Sequence, residues 1–479
     1  MKKIISILLM LCMVLSSFAF AFADETGEEN SEARSYEDFE ARSEEARYVK
    51  VGLYYQTNAV DSFKINSDSG FIIAKGTSKG WTQENIRTDA TELTVTVEDG
   101  AACLSDADGV IVSSLKNYVV LSAAEDPDER IVTIKSKKYR DGFTATVYGG
   151  TKLNIINYIE LEHYVRGVIA NEMGASYPME ALKAQAIAAR SYGIKGLNNH
   201  ASNGFDLCTG QHCQVYRGVS SEYQSTDTAA AETKGQVLTY DGKVVQGYYY
   251  ATSGGYCMNS EDVWLNPLGY CKSRVDDFAA DYKWTSTFTM EQIQEKLKNA
   301  GKSVGTVTGV QITARNDNGT ARTVTIYGTN GNTTYSKSSM LSFFGCKSFV
   351  FAMSDKEFVW TSSNKTVTAD PIKLYSRYTP EPVTSGETIT VMNAMGQMEE
   401  VSVADIRMHN GKSVYAPSYT EEGGYTDDLI TGTVYIAGNG NGHGVGMPQT
   451  SARNMANEGY TCEDILKYYY KDIEIGMLE

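Results

Sequence analysis

The sequence predicts an α+β protein with a β-rich core, a helical segment and a small inserted α+β subdomain. Three observations carry this prediction. Apolar and polar residues alternate from Tyr48 onward, helical periodicity takes over from Leu161 to about Leu197, and strand-like runs return after it. With 479 residues, of which 42% are hydrophobic and 21% charged, the chain has a globular composition and is long enough for two or three folded units.

The first 23 residues have the order of a signal peptide. Two lysines precede an apolar run over residues 4–14, and Ala21-Phe22-Ala23 supplies a small-residue cleavage pattern. We therefore expect cleavage after Ala23 and a secreted chain, with an uncleaved signal anchor as the alternative. No later stretch of sequence is long and apolar enough to cross a bilayer, so we expect no stable membrane span after processing.

Residues 24–48 are polar and rich in glutamate, with few large aliphatic side chains, and we expect them to form an acidic disordered spacer. The formal net charge of the chain is −16. Because an acidic surface repels phosphate backbones, nucleic acid is excluded as an expected partner.

The predicted domain boundaries follow changes in periodicity. Residues 49–284 together with 436–479 form the expected core, which ends in a glycine loop and two short helices. Residues 285–350 combine one helix, stopped by Gly301, with three strand-like runs, and form the expected inserted α+β subdomain. Residues 351–435 are strand-like and are interpreted as an additional β-rich insertion of unknown role.

An amphipathic helix is predicted to begin at Leu161. Its apolar stripe has i, i+3, i+4, i+7 and i+8 spacing and consists of Leu161, Tyr164, Val165, Val168 and Ile169. One further turn reaches Glu172, whose carboxylate would lose hydration there, so that its pKa rises toward the range of a proton donor. The alternative is that the helix ends at Ala170 or Asn171 and Glu172 is solvated. Periodicity alone favours neither.

A second, alanine-rich helix follows, with Ser176 as a candidate N-cap and Pro178 in its first turn. Lys183 and Arg190 share one face of this helix with two isoleucines. Two cations on a half-apolar face indicate a cationic wall opposite an anionic group or Glu172 itself. The alternative is that both side chains extend to solvent from a packed helix.

Cysteine and histidine residues cluster after the second helix. Cys208, His212 and Cys213 lie within six residues, and His200 precedes Cys208 by eight. Two thiolates and two imidazoles make a closed tetrahedral zinc site, which would be structural and would brace the loop. The alternative is a local disulfide between Cys208 and Cys213, favoured in an exported protein.

Of the remaining cysteines, Cys257 and Cys271 flank one turn-rich segment and are candidate disulfide partners. The chain also contains 32 tyrosines, including Tyr248, Tyr249 and Tyr250. Tyrosine can stack on sugar faces, but strands favour it in any case, so we expect most of these side chains to belong to the core.

Several stretches resemble the stage II sporulation protein D and amidase-enhancer (LytB-like) family of bacterial cell-wall proteins. They are LEHYVRGVIANEM and SYPMEALKAQAIAARSYG in the helical segment, CQVYRG at 213–218, YYYATSGGYCMNSEDVW at 248–264 and GNGHGVGMPQTSARNMANEGY at 440–460. The matched stretches follow the order of the family, and the resemblance covers most of residues 49–350 and 436–475.

The resemblance implies lytic transglycosylase activity on peptidoglycan glycan strands, with Glu172 as the catalytic acid and Lys183 and Arg190 as site residues. It also implies a substrate groove between the helical catalytic segment and the rest of the fold. His443, Gln449 and Ser253 are expected to contact the glycan there, although a structural turn is an equal alternative for His443. Some members of the family carry a metal in the loop that corresponds to residues 200–213.

A single carboxyl group suffices for this chemistry, because the 6-hydroxyl of the muramic acid ring, and not water, closes on the anomeric carbon. Glu172 would protonate the leaving oxygen and then accept the hydroxyl proton, and Lys183 or Arg190 would hold the anionic lactate. The alternative function is a non-catalytic enhancer that binds the cell wall and stimulates a cell-wall amidase. A zinc amidase fits less well, because four protein ligands leave no open coordination position.

Overall fold

The structure is a computed structural model that describes residues 47–264, 266–358, 360 and 427–478, together with short strands between 374 and 402. The predicted signal peptide, almost all of the predicted spacer and most of the 351–435 insertion lie outside the described residues. The described part contains both helices and many strands, which confirms the α+β class. The predicted groove remains a prediction.

The strands of the first half of the chain are β1 (Tyr48–Tyr54), β2 (Phe63–Asn66), β3 (Phe71–Thr77), β4 (Gly80–Thr88), β5 (Glu92–Glu98), β6 (Ala101–Ser105), β7 (Val110–Val112), β8 (Tyr118–Ser122), β9 (Ile131–Ile134), β10 (Lys137–Arg140), β11 (Gly142–Tyr148), β12 (Lys152–Glu160), β13 (Leu207–Cys208), β14 (Gln236–Tyr240) and β15 (Lys243–Val244). Those of the second half are β16 (Tyr249–Tyr250), β17 (Tyr256–Cys257), β18 (Arg274–Val275), β19 (Lys283–Phe288), β20 (Val307–Arg315), β21 (Ala321–Gly328), β22 (Gly331–Ser336), β23 (Phe351–Ser354), β24 (Leu374–Ser376), β25 (Thr379–Val383), β26 (Thr388–Met392), β27 (Met398–Ser402), β28 (Val434–Asn439), β29 (Met447–Pro448) and β30 (Glu474–Met477). The α-helices are α1 (Leu161–Glu172), α2 (Met179–Lys195), α3 (Gln224–Glu232), α4 (Ser260–Val263), α5 (Met290–Asn299), α6 (Lys337–Phe344), α7 (Gln449–Asn457) and α8 (Cys462–Tyr469).

Two β-sheets enclose the main hydrophobic core. The larger sheet has seven strands in the order β13-β1-β12-β11-β8-β3-β4, and the second has six in the order β10-β9-β2-β5-β6-β7. Phe63 of the second sheet meets Phe143 of the first edge-to-face, with ring centroids 5.5 Å apart, and both side chains are buried. The short β13 pairs in parallel with β1 at the edge of the larger sheet, which fixes the position of Cys208.

Helix α1 follows β12 without a loop and ends at Glu172, so the apolar stripe does extend to this carboxylate. All five residues of the predicted stripe are buried. Helix α2 begins at Met179 with Pro178 as its N-cap, and Ser176 lies outside it, so the predicted serine cap is wrong. The two helices pack closely at Gly193 of α2, where an added Cβ would lie 3.3 Å from Leu161.

The chain forms two compact units. The first contains the described residues up to Lys272, residues 276–280 and residues from Asn441 onward, and the second contains 273–275 and the described residues of 281–440. In the second unit, β20, β21 and β22 form an antiparallel sheet, and β19, β28 and β23 form another. Helix α5 lies within the predicted range 289–300 and begins with a capping box of Thr289 and Gln292.

None of the described helices is long and apolar enough to cross a membrane. Cys271 carries a free thiol, so the predicted disulfide with Cys257 is not formed. Burial raises the pKa of the Cys271 thiol, which keeps it in the unreactive protonated form.

Candidate active site and metal cluster

Glu172 is the last residue of α1, and its Oε1 accepts a hydrogen bond from the backbone N–H of Val215 over 2.6 Å. Burial raises the pKa of Glu172, and the Val215 N–H and the nearby Tyr249 hydroxyl lower it without cancelling the effect of burial. The carboxyl group therefore keeps its proton to a higher pH than an ordinary glutamate, as a general acid requires.

Two residues of this site, Gln214 and Tyr249, were missed by sequence reasoning. Gln214 is completely buried and donates from Nε2 to the Tyr249 hydroxyl over 2.9 Å. In the sequence, Tyr249 is only one of three consecutive tyrosines in a strand-like run. The one sequence signal for Gln214 is its polar side chain between Cys213 and the apolar Val215. If such a side chain is buried, its amide needs hydrogen-bond partners.

His443 supports Tyr249 through its ring. Its Nε2–H donates to the Tyr249 carbonyl over 3.1 Å, and its Nδ1 accepts the Val445 N–H over 3.0 Å. Burial lowers the pKa of His443 to about 4, so the ring is neutral near pH 7. Both ring nitrogens are bonded to backbone, which agrees with the structural alternative for His443 and places it against the strand that carries Tyr249. Its role as a glycan contact stays a prediction.

The other two predicted glycan contacts are also engaged inside the protein. Gln449 is buried on α7 and its Nε2 donates to Gln185 over 3.4 Å. Ser253 is buried and donates to the Asp276 carboxylate over 2.5 Å, which also accepts from Ser451 over 2.6 Å. Both residues therefore form hydrogen bonds within the protein, and glycan binding by them stays a prediction.

Arg190 is completely buried, contrary to the prediction that it belongs to a substrate-facing wall. It forms a bidentate ion pair with Glu162, in which Nε donates to Oε1 over 2.9 Å and Nη2 donates to Oε2 over 2.7 Å. It also donates to the backbone carbonyl groups of Gln236 and Ala230. All three guanidinium nitrogens are thus used in joining α2 to α1, α3 and β14. No donor is left for an anionic sugar substituent, so the role of Arg190 is structural.

Lys183 lies on the same helix but is only partly buried. Its Nζ forms ion pairs with Glu232 at 2.6 Å and with Glu180 at 3.0 Å. These two carboxylates raise the pKa of Lys183. The cation therefore pairs with acids of α2 and α3, so of the two predicted partners, an anionic group or Glu172, the structure shows anionic groups.

The structure brings together all four predicted metal ligands. One ligand atom from each of His200, Cys208, His212 and Cys213 lies within 4.8 Å of all the others. His200 Nε2 is 3.3 Å from the Cys213 sulfur, and His212 Nδ1 is 3.4 Å from the same atom. Both cysteines are free thiols, so the alternative of a local disulfide is not formed.

The chemistry of this cluster suits a soft divalent metal. A hydrogen bond from Cys213 lowers the pKa of Cys208, opposed by burial and assisted by the Gly210 backbone and the charge of the two histidines. A thiolate is therefore favoured at Cys208 even without a metal, and thiolates and imidazoles are the ligands that zinc prefers. The cluster adjoins the site of Glu172 along the chain, because Cys213 is followed directly by Gln214 and Val215.

Part of the chain matches a known protein family, and most of it is similar to proteins of known name. Residues 149–240, which include Glu172 and the metal cluster, match the family model described as stage II sporulation protein. The chain is 28% identical over 342 residues to stage II sporulation protein D of Bacillus subtilis (strain 168), covering 67% of this chain and 76% of that protein. The protein of the same name from Bacillus amyloliquefaciens is 28% identical over 344 residues, with 68% and 77% covered.

The amidase enhancer of Bacillus subtilis (strain 168) is also 28% identical, over 306 residues that make up 64% of this chain. The matched region spans only 39% of the length of that relative. The resemblance predicted from the sequence is confirmed, since residues 149–240 match the stage II sporulation protein family model and the chain is similar over about two thirds of its length to stage II sporulation protein D and to the amidase enhancer.

Proposed function

We propose that this protein is an exported, cell-wall-associated lytic transglycosylase that cleaves peptidoglycan between N-acetylmuramic acid and N-acetylglucosamine. The observation that carries the proposal is the environment of Glu172. Glu172 is a buried carboxyl group at the end of α1 that accepts the Val215 N–H over 2.6 Å, and burial raises its pKa toward that of a proton donor. A hydrolase needs two carboxyl groups, whereas an intramolecular transglycosylase needs one.

The mechanism uses one carboxyl group twice, first as an acid and then as a base. Protonated Glu172 donates its proton to the glycosidic oxygen, the bond from this oxygen to the anomeric carbon breaks, and the N-acetylglucosamine side leaves as an alcohol. The Val215 N–H and the Tyr249 hydroxyl stabilise the resulting carboxylate. The carboxylate then accepts the proton of the muramic acid 6-hydroxyl, whose oxygen bonds to the anomeric carbon to form the 1,6-anhydro end.

We further propose that His200, Cys208, His212 and Cys213 hold one structural zinc ion. Four protein ligands would close the coordination sphere, so the ion would supply stability and not a bound water for hydrolysis. The ion would fix Cys213 and with it the backbone of Val215, whose N–H contacts Glu172. This role needs no step of the reaction to pass through the metal.

The test is mass spectrometry of purified peptidoglycan after digestion by the wild type, by Glu172→Gln and by Glu295→Gln, an exposed glutamate of α5. Glu172→Gln keeps the shape of the side chain but cannot donate a proton, so we expect anhydromuramyl ends to fall by about 10²–10⁴-fold. Glu295→Gln should match the wild type. Reducing ends in place of anhydro ends would indicate hydrolysis and contradict the proposal.

A second candidate function is that of an enhancer of a cell-wall amidase, favoured by the similarity to the amidase enhancer. In that case the wild type alone releases no glycan fragments but accelerates the removal of stem peptides by an added amidase. The same digest, repeated with an amidase present, therefore distinguishes the two functions.

A further inference from the structure

The backbone N–H that binds Glu172 belongs to a segment, residues 213–222, that contacts helix α1 at more than one point. Val215 N–H donates to Glu172 Oε1 over 2.6 Å at the C-terminal end of the helix. Ser221 donates from its hydroxyl to the Gly167 carbonyl over 3.3 Å, farther back along the same helix. The position of a backbone N–H depends on the residues that hold its segment in place, so these residues determine how Val215 meets the carboxylate.

Tyr216, the residue directly after Val215, packs against a glycine of α1. Its side chain is buried, and a Cβ added to Gly167 would lie 2.5 Å from its ring. This distance is shorter than real Cβ atoms show, so only glycine leaves room for the ring at this position. Glycine in the interior of a helix is less stable than alanine. The helix that carries Glu172 therefore contains a destabilising residue where Tyr216 packs against it.

The hydroxyl group of Tyr216 is fixed by a buried amide. It donates to Asn157 Oδ1 over 2.7 Å, and Asn157 is completely buried on β12. The Nδ2 of Asn157 donates to the carbonyl groups of Arg140 and Gly142 over 3.0 and 2.6 Å. Carbonyl oxygens can only accept, so the NH₂ group faces them and the amide oxygen faces Tyr216. The side chain of Tyr216 is thus held by packing against α1 and by a hydrogen bond to β12.

We propose that Tyr216 is a positioning residue that places the Val215 N–H on the Glu172 carboxylate. Gly167 and Asn157 take part by fixing the ring and the hydroxyl of Tyr216. The proposal rests on the proposed function, since the N–H that is placed acts on the acid of that reaction. Tyr216 joins helix α1, strand β12 and the 213–222 segment at one point, and it contacts no substrate in the mechanism.

Three phenols lie near Glu172, and all three are neutral. Among the described residues, Tyr164 of α1, Tyr192 of α2 and Tyr249 of β16 interact electrostatically with Glu172. Burial raises the pKa of each of these hydroxyl groups, so each keeps its proton near pH 7. A variant that moves the Val215 N–H away therefore raises the pKa of Glu172 through a lost hydrogen bond, because the carboxylate is less stabilised.

The test measures the titration of Glu172 by NMR of full-length protein labelled with ¹³C at the glutamate side-chain carboxyl carbons. The signal is assigned by its loss in Glu172→Gln. Gly167→Ala displaces the Tyr216 ring, so we expect the titration midpoint to move upward by roughly one pH unit. The matched control is Gly438→Ala, whose added Cβ meets the Trp284 ring in the second unit and should leave the midpoint unchanged.

Tyr216→Phe keeps the ring and removes only the hydroxyl, so it tests the proposal even if Gly167→Ala does not fold. It should move the midpoint in the same direction by less. Its matched control is Tyr158→Phe, which removes another buried hydroxyl of the first unit, one that donates to the carbonyl groups of Thr77 and Gly80. This control should not move the midpoint.

A third variant, Tyr216→Ala, removes the ring altogether. Gly167→Ala should then have no further effect on the midpoint, because Gly167 acts on Glu172 only through the ring. An effect of Gly167→Ala that persists in the Tyr216→Ala background, or a midpoint that Tyr216→Phe leaves unchanged, would overturn the proposal.

Activity gives a second measurement that separates this proposal from the proposed function. The alkaline limb of the pH–rate profile reports the loss of the acid proton, so it should move to higher pH in Tyr216→Phe together with the NMR midpoint. If the midpoint moves but the wild type forms no anhydromuramyl ends, Tyr216 positions the Val215 N–H and the transglycosylase function is wrong. If anhydromuramyl ends form but neither the midpoint nor the limb moves, the function holds and the positioning role is wrong.

Discussion

At the scale of single residues, Arg190 and Lys183 lie on one face of α2 but differ in burial and in function. They are seven residues apart on α2, yet the structure buries Arg190 completely and leaves Lys183 partly exposed. The sequence pattern places both on one face, but it contains no information about the long-range partners Glu162 and Gln236 that surround only one of them. The distinction therefore depends on tertiary packing, which periodicity cannot predict.

This distinction predicts different energetic costs. Arg190→Ala leaves Glu162 without its cation and two buried carbonyl groups without a donor, so we expect a loss of about 3–5 kcal/mol in the free energy of unfolding. Lys183→Ala removes an ion pair that solvent screens and should cost about 1 kcal/mol or less. Urea unfolding of both variants checks this, and equal costs would contradict the structural role of Arg190.

His443 predicts a pH dependence of stability. Its pKa is about 4 in the folded protein and near 6.5 in an unfolded chain, so the unfolded state takes up protons first as the pH falls. The contribution of His443 to stability is therefore complete above pH 6.5 and is lost as the pH falls toward 4, by roughly 3 kcal/mol.

The measurement is urea unfolding at pH 7 and pH 4.5 for the wild type and for His443→Gln, which cannot titrate. The variant should lose less stability than the wild type between these two pH values. The opposite contribution comes from His163, whose pKa is raised because the hydrogen bond and charge of Asp141 outweigh its burial. Because His163 is present in both proteins, its effect cancels, and an identical acid loss would show that His443 does not contribute.

At the scale of elements, the sequence predicts best those elements whose pattern lies within a short stretch of the chain. The stripe of α1 predicted the helix that carries Glu172, and the spacing of cysteine and histidine predicted the four-residue cluster. Tyr249 reaches the site because β16 pairs in parallel with β29, nearly two hundred residues later in the chain. Strand pairing at that distance has no local signature, so the position of Tyr249 near Glu172 could not be predicted from the sequence.

The metal cluster predicts a dependence of this element on zinc. We expect one zinc per chain by elemental analysis and a fall of roughly 5 °C or more in the melting temperature when a chelator removes it, because metal binding is coupled to folding. Cys208→Ser should lose the zinc and melt at the lower temperature with or without chelator. Cys462→Ser, which alters a partly buried thiol outside the cluster, serves as the control and should keep the zinc. Protein that contains no zinc and melts identically after chelation would rule out the structural ion.

At the scale of the whole molecule, the first unit is interrupted by a long segment whose two ends are held at one residue. Thr252 donates from its hydroxyl to the Ala280 carbonyl over 3.1 Å, and its backbone pairs with Asn441 in both directions, over 3.0 and 2.8 Å. The chain therefore leaves the first unit at Ala280 and returns to it at Asn441. Both of these residues are hydrogen-bonded to Thr252. A connection of a few residues can join these two points, as it can where one domain is inserted into another.

This geometry predicts that replacement of residues 281–440 by a linker of about five glycine and serine residues leaves the first unit folded. Glu172, Val215, Tyr249 and the four metal ligands all belong to that unit, as does Thr252, which holds both ends. We expect the shortened protein to unfold in one cooperative transition and to bind one zinc per chain. A second variant that also carries Thr252→Val should be less stable, because it loses the hydroxyl that fixes Ala280. Aggregation of the shortened protein, or loss of its zinc while the full-length chain retains it, would show that the first unit cannot fold without the second.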